Sequence, residues 1–312
     1  MRSPVKARFP SADGGRWLRR RNLVPKALWG RKSFAWARLP CDSLGMAPTH
    51  SYGDITPFSW HGPLEDRYPL LLASPHSGRN YPAAFLDQSR LSVAELRLAE
   101  DPWVDHLLMP AVRALDVALI AANWGRSVID LNRAADELDP DIFTSPLPVP
   151  VGDSATRIAA GLGVLPRIAA PGLEIYRTRL RLEEAQSRID AAHIPYHYHI
   201  GQRLHALRAR YGMAILIDCH SMPSLPRGPG GRADVILGNR FGKSCGDFLS
   251  HRLAELFTVL GLRVDYNQPY AGGYTTHHHG KPHAHIHAIQ IEMDRSLYMD
   301  VRTRQPNGNF VT

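Results

Sequence analysis

Two apolar runs in this chain end in the same polar pair. Residues 69–75 (PLLLASP) lead into His76 and Ser77, and residues 213–219 (MAILIDC) lead into His220 and Ser221. Such runs read as strands buried on both faces of a largely parallel sheet. An imidazole at the end of a buried strand stands at the carboxyl edge of that sheet, where open α/β folds bind ligands. A third run, residues 287–292 (HAIQIE), ends in Glu292 and is followed by Met293, Asp294 and Arg295. Two histidines and a carboxylate, each ending its own strand, point to a mononuclear metal hydrolase.

The remaining pattern predicts an α/β fold with a mixed central sheet covered on both faces. Strands are expected at 69–74, 117–121, 127–131, 213–218, 233–237, 262–266 and 285–292. Helical pieces are expected at 84–98, 104–115, 182–211 and 243–260. Pro195 should kink or divide the third of these, and Gly261 is a C-cap candidate for the last. Residues 134–172, rich in Pro, Gly and Asp, are long for a simple connection, and such loops tend to be functional. Residues 267–282 are expected as a loop.

The net charge of +8 raises a nucleic-acid reading, but its location argues against one. Residues 1–45 hold eleven Lys and Arg against two Asp, so the rest of the chain is nearly neutral. This basic segment is expected to be a disordered extension without a secretory apolar core. It reads as a spurious upstream extension with Met46 as the true start, as a solvated tail, or as an anionic-surface arm, in descending order. Residues 46–312 are expected to form one domain. No apolar run reaches the roughly 18 residues of a membrane span. Three cysteines, Cys41, Cys219 and Cys245, make no disulfide framework and suggest a reducing, cytoplasmic setting. Oligomeric state is silent in the sequence.

Imidazole suits Zn²⁺ or another divalent metal, and a carboxylate often holds its second nitrogen. Asp218, two residues before His220, shares its strand face and is placed for that task, or for bonding loop backbone. A third ligand is sought near 100–105, where Asp101 is an ordinary N-cap or a ligand, with Glu100 and Asp105 as alternatives. Glu292 is either paired with Arg295 or poised as a general base, since burial raises a carboxyl pKa toward neutrality; the base is favoured. Asn132 and Arg133, with Arg126 nearby, suit the clamping of a substrate carboxylate, or bracing through Asp130 or Asp136. In the histidine-rich stretch, His283, His285 and His287 alternate and are expected on one strand face, while His277 or His279 could contact substrate. No nucleophile elbow surrounds Ser77 or Ser221, Cys219 reads as a buried structural thiol, and the glycines near 228–231 make no phosphate loop.

Seven segments carry a resemblance: 74–78 (SPHSG), 127–133 (SVIDLNR), 195–197 (PYH), 216–224 (LIDCHSMPS), 237–242 (LGNRFG), 269–274 (PYAGGY) and 290–300 (QIEMDRSLYMD). In this order, over about residues 50–306, the chain resembles the N-formylglutamate amidohydrolases, which are similar in fold to zinc carboxypeptidases and aspartoacylases. The resemblance implies a phosphorylase/hydrolase-like three-layer sandwich. It implies His76 and His220 as metal ligands, Glu292 as base, and Asn132 and Arg133 at the substrate carboxylate. The carboxypeptidase pair His-x-x-Glu is absent, because position 79 is Arg. Asp101 matches an Asp that the formylglutamate family carries before its Val-Asp-x-Leu segment, and takes the place of second ligand on that basis. The implied reaction is hydrolysis of a small-molecule substrate, N-formyl-L-glutamate, to glutamate and formate in histidine degradation, with Arg126 assisting at the oxyanion. The alternatives are a deacylase for another N-acyl amino acid, and a non-catalytic binding protein with a basic nucleic-acid arm.

Overall fold

A computed structural model of the chain describes residues 56–63, 65–147, 155–226 and 231–310. All of them belong to the unit Met46–Thr312, and the extension assigned to residues 1–45 lies outside the described residues. The strands are β1 (Phe58–His61), β2 (Leu70–Ser74), β3 (Ala118–Ala122), β4 (Ile168–Ala170), β5 (Leu173–Glu174), β6 (Ala214–Met222), β7 (Val235–Gly238), β8 (Val264–Tyr266) and β9 (Ile286–Asp294). Seven form one sheet in the order β1-β3-β2-β6-β9-β7-β8, while β4 and β5 pair separately. The centre is parallel: β2 pairs with β3 and β6, and β6 with β9. Strands β1 and β7 run antiparallel to their neighbours β3 and β9, so the sheet is mixed.

Leu71, Leu119, Ile120 and Leu216 are fully buried in these strands. Each contributes about 1.5–3 kcal/mol by leaving water. Val112, Leu108 and Met109 of the helix Val104–Leu115 pack on Leu72, Leu119 and Ala121. Leu249, Leu253 and Phe257 of the helix Asp247–Val259 pack on Val235, Leu237, Ile289 and Ile291 of the same face. The helix Ile194–Tyr211 packs against β2 and β6, with its Tyr196 beside Asp218 on the opposite face.

Several expectations need correction. Residues 127–131 are as buried as a strand, yet they form a turn and irregular chain. The outer edge of β3 is already taken by β1, a strand not expected from the sequence. The 127–131 backbone bonds elsewhere instead: Asp130 N–H to Val164 O at 2.8 Å, with Arg188 donating to Val128 O and His197 to Leu131 O. As expected, the helical stretch 182–211 is divided: a π-helical turn at Ile189–His193 interrupts it just before Pro195, which sits in the first turn of the next helix. A proline fits there because first-turn N–H groups have no intrahelical partner. Strand β6 extends to Met222, so His220 lies inside it. The expected loop 267–282 contains a short helix, Tyr274–His279. His283, His285 and His287 share no strand face. His283 is in a 3₁₀ turn, His285 is left-handed at φ +56°, and only His287 belongs to β9. Gly261, at φ +80°, follows the helix Asp247–Val259, as glycine does after a helix end.

Candidate active site

Strands β6 and β9 are parallel and in register, with Asp218 opposite Gln290 and His220 opposite Glu292. Side chains alternate along a strand. Ile217, Ile289 and Ile291 enter the apolar core on one face, so Asp218, His220, Gln290 and Glu292 share the other. The parallel neighbour β2 ends beside them and delivers His76. The segment carrying Asp101 docks on this edge through its own N–H, which donates to the His76 carbonyl at 3.0 Å.

His76, Asp101 and His220 are all buried, and their ligand atoms lie within 4.8 Å of one another. Asp101 Oδ2 is 3.0 Å from His220 Nδ1 and 3.4 Å from His76 Nδ1. His76 Nδ1 is buried without a hydrogen bond among the described residues, an arrangement that burial normally penalises. The other nitrogen of each ring faces a carboxylate: His76 Nε2 is 2.7 Å from Asp130 Oδ1, and His220 Nε2 is 3.1 Å from Asp218 Oδ2 and also 3.1 Å from Asn132 Nδ2, its hydrogen-bond partner. Carboxylate-backed imidazoles are typical of metal ligands. Two nitrogens and one carboxylate oxygen suit Zn²⁺ or a similar divalent ion. The residues therefore fit a metal.

Electrostatics favour a positive charge here. Burial opposes ionisation of Asp101, yet hydrogen bonds and charge from His220 and His76 hold it well below the usual carboxylate range. Burial also disfavours a charged His220, but Asp218 and Asp101 outweigh it and raise its pKa well above normal. Arg295 donates to Asp101 Oδ1 at 3.0 Å and to the Glu100 carbonyl at 2.9 Å. It thus braces Asp101 and makes no ion pair with Glu292 among the described residues. The two alternative ligands are engaged elsewhere. Glu100 accepts from Tyr81 Oη at 2.6 Å and from Arg97 Nε at 3.2 Å. Asp105 pairs with Arg79, the residue standing where a carboxypeptidase-like Glu would be.

Asp130 was read from sequence only as a partner for arginine. It backs His76 and also accepts from Arg126 Nε at 2.9 Å. Burial raises its pKa, but Arg126, His76 and Arg133 reverse this and keep it well below normal. Asp130→Asn removes the carboxylate behind His76. It is expected to weaken metal binding about 10- to 100-fold, measurable by competition with a chromophoric chelator.

The structure brings Arg126 and Asn132 to this cluster but gives Asn132 protein partners. Asn132 Oδ1 accepts from Thr275 N–H at 2.8 Å, and Nδ2 donates to Gln290 Oε1 at 3.3 Å and lies 3.1 Å from His220 Nε2. Gly273 packs against it so closely that an added Cβ would lie 2.4 Å from the amide. Arg133 donates to the Leu162 and Asn132 carbonyls at 3.0 and 2.9 Å. His279 is buried. Its Nε2 lies 3.0 Å from His197 Nδ1, while His197 Nε2 donates to the Leu131 carbonyl at 2.8 Å. Burial first, then neighbouring imidazoles, keep both neutral. His277 is exposed on the short helix.

Gln290 escaped the sequence reading, although its two-residue spacing from Glu292 signals a shared face. Its Oε1 accepts from Gly273 N–H at 2.8 Å, which turns its amide nitrogen to donate to Glu292 Oε1 at 2.8 Å. Burial raises the Glu292 pKa to about 7, opposed by His220 and reinforced by Asp101. The buried thiols Cys219 and Cys245 are free, and burial pushes both pKa values up, Cys245 to about 12. Among the described residues, no helix is long and apolar enough to cross a membrane.

The family model for N-formylglutamate amidohydrolase matches residues 68–299. The N-formylglutamate deformylase of Pseudomonas aeruginosa is 31% identical over 239 residues, covering 75% of this chain and 83% of that protein. The enzyme of the same name from Pseudomonas putida is 31% identical over 242 residues, covering 76% and 84%. The crystal structure of N-formylglutamate amidohydrolase from Ralstonia eutropha superposes with a TM-score of 0.75 at 32% identity, covering 82% of this chain and 92% of that one. A gene product of Agrobacterium tumefaciens, 17% identical over 79% of this chain and 86% of its own, shares the fold with a TM-score of 0.58. The chain therefore belongs to the N-formylglutamate amidohydrolase family.

Proposed function

We propose that this chain is a metal-dependent amidohydrolase that splits N-formyl-L-glutamate into L-glutamate and formate, in histidine degradation. The observation that carries the proposal is the convergence of His76 Nδ1, Asp101 Oδ2 and His220 Nδ1 beside Glu292 at one sheet edge. His76, Asp101 and His220 would hold the ion. A bound divalent cation supplies Lewis acidity, which acidifies water and polarises an amide oxygen.

Glu292 is the base. Gln290 occupies its Oε1, and Oε2 has no protein partner among the described residues, so that oxygen is available for a proton. It takes one from the attacking water and returns it to the departing amide nitrogen as the C–N bond breaks. Arg126 uses only Nε on Asp130, and its terminal nitrogens have no partner among the described residues. Its charge acts on both Asp101 and Glu292. The open guanidinium stabilises the oxyanion of the tetrahedral intermediate. Arg133 orients a substrate carboxylate through Nη2, and Asn132 holds the 273–275 turn in place.

Zinc-loaded protein is expected to hydrolyse N-formyl-L-glutamate, with release of formate, faster than it deacylates N-acetyl or N-succinyl glutamate or aspartate. No formate from folded, metal-loaded protein would sink the substrate assignment. Faster cleavage of another acyl group would move it to a different N-acyl amino acid.

A further inference from the structure

Arg240, Phe241 and Gly242 are three consecutive left-handed residues, at φ +53°, +56° and +80°. The first two carry a Cβ, for which this conformation is unfavourable. It persists only where the surroundings over-determine it, and such places cluster at functional sites. Here two asparagines do so. Asn267 Oδ1 accepts from the N–H groups of Asn239 and Phe241 at 3.1 and 3.2 Å, and Asn267 Nδ2 donates to Asn239 Oδ1 at 3.0 Å. Asn239 Oδ1 also accepts from Gly242 N–H at 3.1 Å. The Arg240 N–H donates to the Ala271 carbonyl at 2.8 Å. The loop is a rigid bracket whose partly buried product is the Arg240 side chain.

That side chain lies over Gly272, with Nη1 3.4 Å from the Gly272 carbonyl oxygen, and pairs with no acid among the described residues. Burial and the charge of Arg157 both disfavour its cation. Arg157 itself pairs with Glu137 at 3.2 Å, and Arg133 lies 4.0 Å from Asp130, whereas Arg240 has no such acid partner among the described residues. Residues 271–273 join Arg240 to the reacting groups. Tyr270 feels the charges of Glu292, Asp101 and Arg126, and Gly273 bonds Gln290 and abuts Asn132. A cation set rigidly beside a site, against like charge and without a protein counter-ion, is suited to a ligand anion.

We propose that Arg240 is the specificity-determining residue that binds the side-chain carboxylate of an acidic N-acyl amino acid. The proposal rests on the hydrolase reading above and names the subsite that distinguishes a second carboxylate from its amide isostere. The test uses the full chain and two matched pairs of probes: kcat/KM for N-formyl-L-glutamate against N-formyl-L-glutamine, and calorimetric binding of L-glutamate against L-glutamine. Arg240→Met keeps the aliphatic stem over Gly272 and removes the charge. It is expected to lower the preference for acid over amide about 10- to 100-fold, mainly through KM and Kd. Arg240→Lys is expected to regain part of the preference. Equal losses on acid and amide, or an unaltered preference, overturn the assignment. Arg240-dependent preference for glutamate without formate release overturns the reaction proposed above and leaves the Arg240 assignment standing. Formate release with a preference indifferent to Arg240 does the reverse.

Discussion

Glu292→Gln is expected to lower kcat for formate release by about 10²- to 10⁴-fold, the usual contribution of a positioned general acid–base. The substitution is nearly isosteric. Gln290 Nε2, which donates to Glu292 Oε1 at 2.8 Å, can donate equally to an amide oxygen. Folding and metal binding are therefore expected to survive, which isolates the loss of the proton acceptor. The pH profile gives the same group a second signature. Burial raises Glu292 to about 7 in the metal-free protein, and the base works only when ionised. Activity must then fall as pH drops through an acid limb. A divalent cation on the adjacent ligands adds positive charge, favours the carboxylate and moves that limb below 7. Near-full activity in Glu292→Gln would remove Glu292 from the role of base.

Chelation is expected to abolish formate release, and Zn²⁺ to restore it. A ligand that binds only the folded state stabilises it, by about 4 kcal/mol when present at 1,000 times its Kd. The loaded protein should therefore melt several degrees above the chelated one. Asp101→Asn tests the least orthodox ligand. An amide oxygen is a weaker donor than a carboxylate, and the change also removes the charge that Arg295 grips at 3.0 Å. The metal-dependent melting shift and the activity should disappear together in this variant. A chelated protein with undiminished activity would end the metal-dependent reading. A melting shift retained in Asp101→Asn would end Asp101's part in it.

Much of the site was legible because strand chemistry is local. An apolar run ending in histidine or in Glu292 declares both the strand and the edge at which its polar residue stands. The helix expected at 104–115 is found at Val104–Leu115, since its amphipathic period is long enough to be unambiguous. Residues 127–131 show the opposite case. Their apolarity records burial, and burial does not specify a strand when the neighbouring sheet edge is already occupied. The 283–287 histidines fail for a related reason: alternation in sequence means nothing until the backbone is extended, and His285 is left-handed.

What the sequence determined by itself is the family, the mixed α/β class and the residue types at the strand ends, because these follow from short-range pattern. What only the tertiary structure decided is which polar side chains pair with which. Asp101, Glu100 and Asp105 lie within five residues of each other, yet one meets His220, one meets Tyr81 and one meets Arg79. Asp130 reaches His76 across 54 positions, and Asn132 reaches Gln290 across 158. Such pairings depend on how sheet register and loop docking bring distant segments together, and no local pattern encodes that distance.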